Sequence, residues 1–145
     1  ITMAGSNNPY RAYRDTQIKT ASQGKLIVML YDEAIRQVDS AVQGLRKGND
    51  GIDIVSNALL KAQDLVTELM VSLDFERGGD IAQGLFSLYM YFNQQLVEAN
   101  MKKVAEPLEE VRKMLAELRS AWMQISGTPA PPDAGPAQTG VNIAG

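Results

Sequence analysis

The chain has 145 residues, 45% of them hydrophobic and 21% charged, a globular balance at a length that makes one domain with a core needing neither disulfide nor metal. Fourteen Lys and Arg against seventeen Asp and Glu leave a net charge of -3, which argues against nucleic acid, since the basic residues gather only as pairs such as Arg46-Lys47 and Lys102-Lys103. With no Cys and no His, the chain lacks disulfides, thiol nucleophiles, histidine bases and the imidazole or thiolate ligands of most zinc, haem and di-iron sites.

Met3 is read as the natural first residue, and the segment Ile1 to Asn8 is too polar for a signal peptide. Residues 1–21, with Pro9 and the isolated Tyr10, Tyr13 and Ile18, show no sustained period and are read as an extended arm. From Ser22, a fitting N-cap, Ile27, Leu30, Ala34, Val38, Ala41 and Leu45 recur at steps of three and four and define a first helix face. Arg46 and Lys47 suit the negative end of that helix, and Gly48 its left-handed stop.

After a turn at Gly48 to Gly51 the same spacing returns in Val55, Leu59, Ala62, Val66, Leu69 and Leu73. The pair Gly78-Gly79 is read as a tight interhelical turn. A third face follows in Ile81, Leu85, Leu88, Phe92, Leu96 and Ala99, with Asp80 in its first turn and Lys102-Lys103 at its end. The fourth stripe, Leu108, Val111, Leu115, Leu118, Trp122 and Ile125, is the most regular; Pro107 fits its first turn and Gly127 its stop.

Residues 128–145, rich in Pro, Gly and Ala, bury too little apolar area to offset ordering and are read as a disordered tail. The longest apolar run, Leu26 to Tyr31, is far short of the roughly 20 residues that span a bilayer, so no membrane insertion is expected. Four similar amphipathic helices on short turns predict an all-α, antiparallel up-down four-helix bundle over residues 22–127.

No catalytic constellation emerges, and no enzyme, cofactor or metal is expected. The carboxylates Asp32, Glu33, Asp39, Asp64, Glu68, Glu98 and Glu117 read as solvated polar faces. Asp74, Glu76 and Asp80 read as turn chemistry, lacking the register of a calcium loop. Apolar residues also lie outside the main stripes: Val28, Ile35 and Val42; Ile54, Leu65 and Met70; Phe86, Tyr89, Met90 and Tyr91. Such wide faces either complete the core, which the pattern alone favours, or leave grooves for a partner's helix. The seven methionines suit either gap-filling or an adaptable surface. Gly44 and Gly84 weaken helices unless packing or a groove requires them.

Three separated segments carry a resemblance. Asn8-Pro9-Tyr10-Arg11-Ala12-Tyr13, then Thr20-Ala21-Ser22 with Leu26-Ile27-Val28-Met29-Leu30-Tyr31-Asp32, then Leu73-Asp74-Phe75-Glu76 with Gly78-Gly79-Asp80-Ile81-Ala82, Leu85 and Leu88-Tyr89, resemble the FliS family of flagellar secretion chaperones. The resemblance implies a cytoplasmic protein that binds the disordered C-terminal segment of flagellin and prevents its premature polymerisation. It implies too that the client is delivered to the flagellar export gate through transient contact. Residues it marks as groove or groove-support are Tyr10, Tyr13, Ile27, Leu30, Tyr31, Leu73, Ile81, Leu85 and Tyr89. It places Asp32 and Asp74 as turn caps or orienters of polar client groups. Monomer and homodimer both fit the sequence. A second reading stands beside this one: a self-associating structural bundle whose stripes serve only a core.

Overall fold

A computed structural model describes residues 23–125, which form four helices: α1 (Gln23–Arg46), α2 (Ile52–Val71), α3 (Phe75–Lys102) and α4 (Glu106–Ile125). Among the described residues there is no strand. Contacts run α1–α2, α2–α3, α3–α4 and α4–α1, closing a ring around one core. The bundle expected from the four stripes is therefore the fold observed. The arm, Ser22, Gly127 and the tail lie outside the described residues.

The stripes meet in that core. Ala34, Val38 and Ala41 of α1, Leu59, Ala62, Val66 and Leu69 of α2, Phe92, Leu96 and Ala99 of α3, and Leu108, Val111 and Leu115 of α4 are all buried. Antiparallel register shows in cross-helix pairs. Asp39 and Asp32 on α1 pair with Arg112 and Arg119 on α4, seven residues apart on each helix and in opposite order.

The α1–α2 corner depends on the absence of side chains. Gly48–Gly51 makes one 3₁₀ turn, with Gly48 in the left-handed region at φ 66°. Gly51, at φ -101°, is there for space: a Cβ would stand 1.9 Å from the Gly44 carbonyl oxygen. Gly44 is likewise crowded, a Cβ falling 2.9 Å from Val55 Cγ2. Packing thus explains Gly44 but not Gly84, whose Cβ position is open and whose φ is not positive. Replacing Gly84 by Ala is expected to stabilise the protein by roughly 0.5–1 kcal/mol, read as a higher urea midpoint at unchanged slope.

The α2–α3 connection keeps the expected break at Gly78-Gly79 and adds a capped turn before it. Helix α2 ends at Val71, and Leu73 sits half-buried in the connection. Helix α3 then starts at Phe75, because the Asp74 carboxylate accepts hydrogen bonds from the Glu76 and Arg77 amides at 3.1 Å each. Gly79, at φ 48° and ψ -121°, breaks α3 one turn later. Gly79 thus separates a short capped turn at Phe75 from the long helical stretch beyond it, so the glycine pair is a break between helical pieces, as expected. Asp80 directly follows the break and stands in the first turn of the long helical stretch, as expected.

At the far end of α3, Lys103 takes the left-handed conformation at φ 54° without being glycine. Its ammonium donates to Asn100 O and Oδ1, both at 2.6 Å, satisfying a terminal carbonyl that a glycine would leave to solvent.

One polar contact crosses the core. The hydroxyls of Tyr31 (α1) and Tyr89 (α3) hydrogen-bond to each other, their rings tilted with centroids 6.4 Å apart. The Trp122 indole on α4 also bonds Tyr31. Burial pushes both phenols above their usual 10.0, Tyr89 to about 12 and Tyr31 further, aided by the neighbouring Tyr89. Raised folded values mean that these groups favour folding fully below pH 10, where neither state ionises. The contribution fades as the pH climbs from 10 through about 12, because only the unfolded chain loses its protons. Urea midpoints should therefore drop between pH 10 and 12, and Tyr31→Phe with Tyr89→Phe should flatten that drop.

Candidate polypeptide-binding groove

Burial sorts the residues marked by the sequence. Ile27, Leu30, Tyr31 and Tyr89 are buried, so they underlie a surface and do not line it. Leu73 and Leu85 are half-buried against the core, and Ile81 is 42% exposed. Tyr10 and Tyr13 lie outside the described residues. The α3 stripe thus grades from exposed Ile81 through half-buried Leu85 and Leu88 to buried Phe92, Leu96 and Ala99. Helix α4 grades the same way, from buried Leu108, Val111 and Leu115 to half-buried Leu118 and Trp122. Toward the start of α3 and the end of α4 the stripes are less covered, and there Ile81 and Leu85 keep apolar surface in contact with water.

A longer apolar surface follows the α2–α3 seam. On α3, Phe86, Met90, Val97 and Met101 fall at steps of four, seven and four on the outward side of the core stripe. On α2, exposed Leu60 and Val71 fall on either side of Thr67 at steps of seven and four, in the same register as Thr67, which lines the groove. Leu60 is 55% exposed, Val97 41% and Met101 77%. Between the helices runs a groove of about 700 Å³, lined by Thr67, Met70, Met90, Asn93, Val97 and Glu98 among others. Two neutral hydrogen bonds cross its floor: Asn93 Nδ2 to Thr67 Oγ1 at 3.3 Å, and Ser56 Oγ to Asn100 Oδ1 at 3.4 Å. At its α2–α3 connection end, half-exposed Phe75 meets Phe86 edge-on with centroids 6.0 Å apart.

The α1–α4 seam is built differently. Arg112 Nε donates to Asp39 Oδ1 at 2.6 Å and its NH2 to Asp39 Oδ2 at 3.3 Å, while Arg119 pairs with Asp32. Across α3–α4, Tyr91 donates to Glu110 at 3.0 Å. Charges thus close one side of the bundle, and apolar groups face outward on the other. Exposed pairs of this kind add little stability; what they exclude is an apolar partner on that side.

Among the extra apolar residues, Leu65 and Tyr89 belong to the core, whereas Ile54 and Met90 are exposed, so the wide faces serve both purposes. Leu60, Val71, Val97 and Met101 were not foreseen. Their signal is present in the four-seven-four spacing, but it runs parallel to a stronger core stripe and is masked by it. Two carboxylates also differ from expectation or sharpen it. Glu68 is 4% exposed and not solvated, because α2 is embedded between α1 and α3 over a broad arc that takes in this flank. Asp32 pairs with Arg119 and Asp74 caps α3, leaving neither in the groove.

Among the described residues, no three carboxylates are placed to hold a metal ion, and no helix is long and apolar enough to cross a membrane.

Residues 6–129 match the protein family described as flagellar protein FliS. The flagellar secretion chaperone FliS of Vibrio cholerae is 35% identical over 124 residues, covering 85% of this chain and 90% of that protein. The protein of the same name from Bacillus subtilis is 32% identical over 117 residues, covering 81% and 85%. That of Salmonella typhimurium is 36% identical over 115 residues, covering 77% and 82%.

Proposed function

Because the chain belongs to the FliS family, whose named members are flagellar secretion chaperones and not enzymes, we propose that this chaperone of flagellar export holds the disordered C-terminal segment of flagellin along its α2–α3 groove. Held there in the cytoplasm, the segment cannot join a filament prematurely, and the complex is delivered by transient contact with the export gate. The carrying observation is the pair of outward apolar stripes, Leu60 and Val71 on α2 and Met90, Val97 and Met101 on α3, left open while the α1–α4 side is closed by charge.

Coupled folding and binding is the mechanism this surface supports. A disordered segment loses chain entropy when it settles, and burial of apolar area at about 25 cal/mol per Å² offsets that loss. Unbranched Met70, Met90 and Met101 adapt to its side chains. The less covered end, with Ile81, Leu85 and Leu73, extends the same apolar surface, and Tyr10 and Tyr13 of the arm are proposed to contribute from the chain's N-terminal side. Buried Ile27, Leu30, Tyr31 and Tyr89 support the groove from beneath.

Calorimetric titration of the flagellin C-terminal segment into the protein, followed by circular dichroism, tests this. Saturable binding with a gain of client helix is expected. No heat and no gain of helix would sink the proposal. A bundle whose stripes served only its own core, as monomer or homodimer, would leave the exposed residues of α2 and α3 without a role.

A further inference from the structure

Two asparagines stand on the groove side of α3 two helical turns apart, and the structure treats them differently. Asn100 Oδ1 is saturated by this chain: it accepts from Lys103 Nζ at 2.6 Å and from Ser56 Oγ at 3.4 Å. Asn93 lines the groove, and its Nδ2 donates to Thr67 Oγ1 at 3.3 Å, but its Oδ1 is withdrawn from solvent with no donor in reach. A shielded carbonyl without a donor is unfavourable, and an apolar segment laid over it would shield it further.

We propose that Asn93 is the specificity-determining residue of the groove, its Oδ1 accepting a hydrogen bond from one donor-bearing side chain on the otherwise apolar face of the client segment. The proposal rests on the groove being the client site. A helical client satisfies its own backbone N–H groups internally, so the donor must come from a side chain: a hydroxyl, an amide or a cation. Met70 and Met90, flexible thioethers lining the same groove, can shift to admit it.

One donor opposite one acceptor fixes register. Sliding the client by a turn, about 5.4 Å, puts an apolar group on Oδ1 and leaves the client's own polar group buried without a partner. Apolar contacts alone tolerate such slips, whereas a misplaced polar pair penalises both partners, which is how a greasy groove discriminates between segments of similar hydropathy.

The test uses the full chain with Asn93→Leu, which removes the acceptor at nearly constant volume, and Asn93→Asp, which retains it. With the flagellin C-terminal segment as ligand, Asn93→Leu should bind roughly tenfold more weakly while its denaturation midpoint is equal to or above that of the parent. Asn93→Asp should bind within a few-fold of the parent. Alanine substitution along the client should be non-additive with Asn93→Leu at a single polar position. Parent-like affinity for Asn93→Leu overturns the proposal and leaves the groove standing. Should Leu60→Asp with Val97→Asp also leave binding unchanged, the groove reading fails, and the assignment of Asn93 with it.

Discussion

Leu60→Asp combined with Val97→Asp is expected to weaken binding of the flagellin C-terminal segment by at least about a hundredfold without unfolding the chaperone. Both side chains are already in water, 55% and 41% exposed, and surface substitutions of this kind usually shift stability by no more than about 0.5 kcal/mol each. In the complex the balance differs. Each parent side chain contributes roughly 1–2 kcal/mol of apolar burial, and each new carboxylate must be desolvated without a partner. A combined loss of about 3 kcal/mol or more is a factor of roughly a hundred in affinity. Calorimetry measures it, with thermal unfolding of the free variant as control. A folded double variant that binds like the parent would remove α2–α3 as the client surface.

Gly51→Ala should be among the most damaging single substitutions in the bundle, at about 3 kcal/mol. Its dihedrals suit any residue, so chain entropy alone would make alanine favourable. The obstacle is backbone. The new Cβ would lie 1.9 Å from the Gly44 carbonyl oxygen and 2.7 Å from its carbon, neither of which can rotate away as a side chain would. Relief requires α1 and α2 to separate at their corner, and this opens the packing of Val55 and Ile54 against Gly44. A loss of this size is a large part of the 5–15 kcal/mol typical of small domains, so the urea midpoint should fall steeply. Gly84→Ala is the internal control, with the opposite sign. A Gly51→Ala variant as stable as the parent would mean that the corner is looser than its geometry shows.

Helical periodicity made the four stripes legible because each helix has one dominant apolar face, and dominance is what a pattern reveals. It could not show depth. Ile81 and Phe92 share a stripe, yet one is exposed and the other enclosed, since burial depends on how closely α3 approaches its neighbours at each level. The connection before α3 was read only in part: Gly78-Gly79 is a strong break signal and does break the helix, whereas the short turn before it is set by Asp74, whose capping role depends on the amides of Glu76 and Arg77. The groove stayed hidden because Val97 and Met101 look like core residues by composition, and only the opposing outward face of α2 gives them a shared seam. The Tyr31–Tyr89 pairing was equally unreadable, as its partners are 58 positions apart.

That pairing has a mechanical consequence. A hydroxyl pair in an apolar interior is directional, so sliding α3 along α1 by one turn would strand two phenols in hydrocarbon, at a cost of about 1–3 kcal/mol for each. Helix α3, which carries half of the proposed groove, is thereby held at a single axial setting in the free protein. On the proposed function, complex formation would be asymmetric: the client would do nearly all the ordering, against a mould already set.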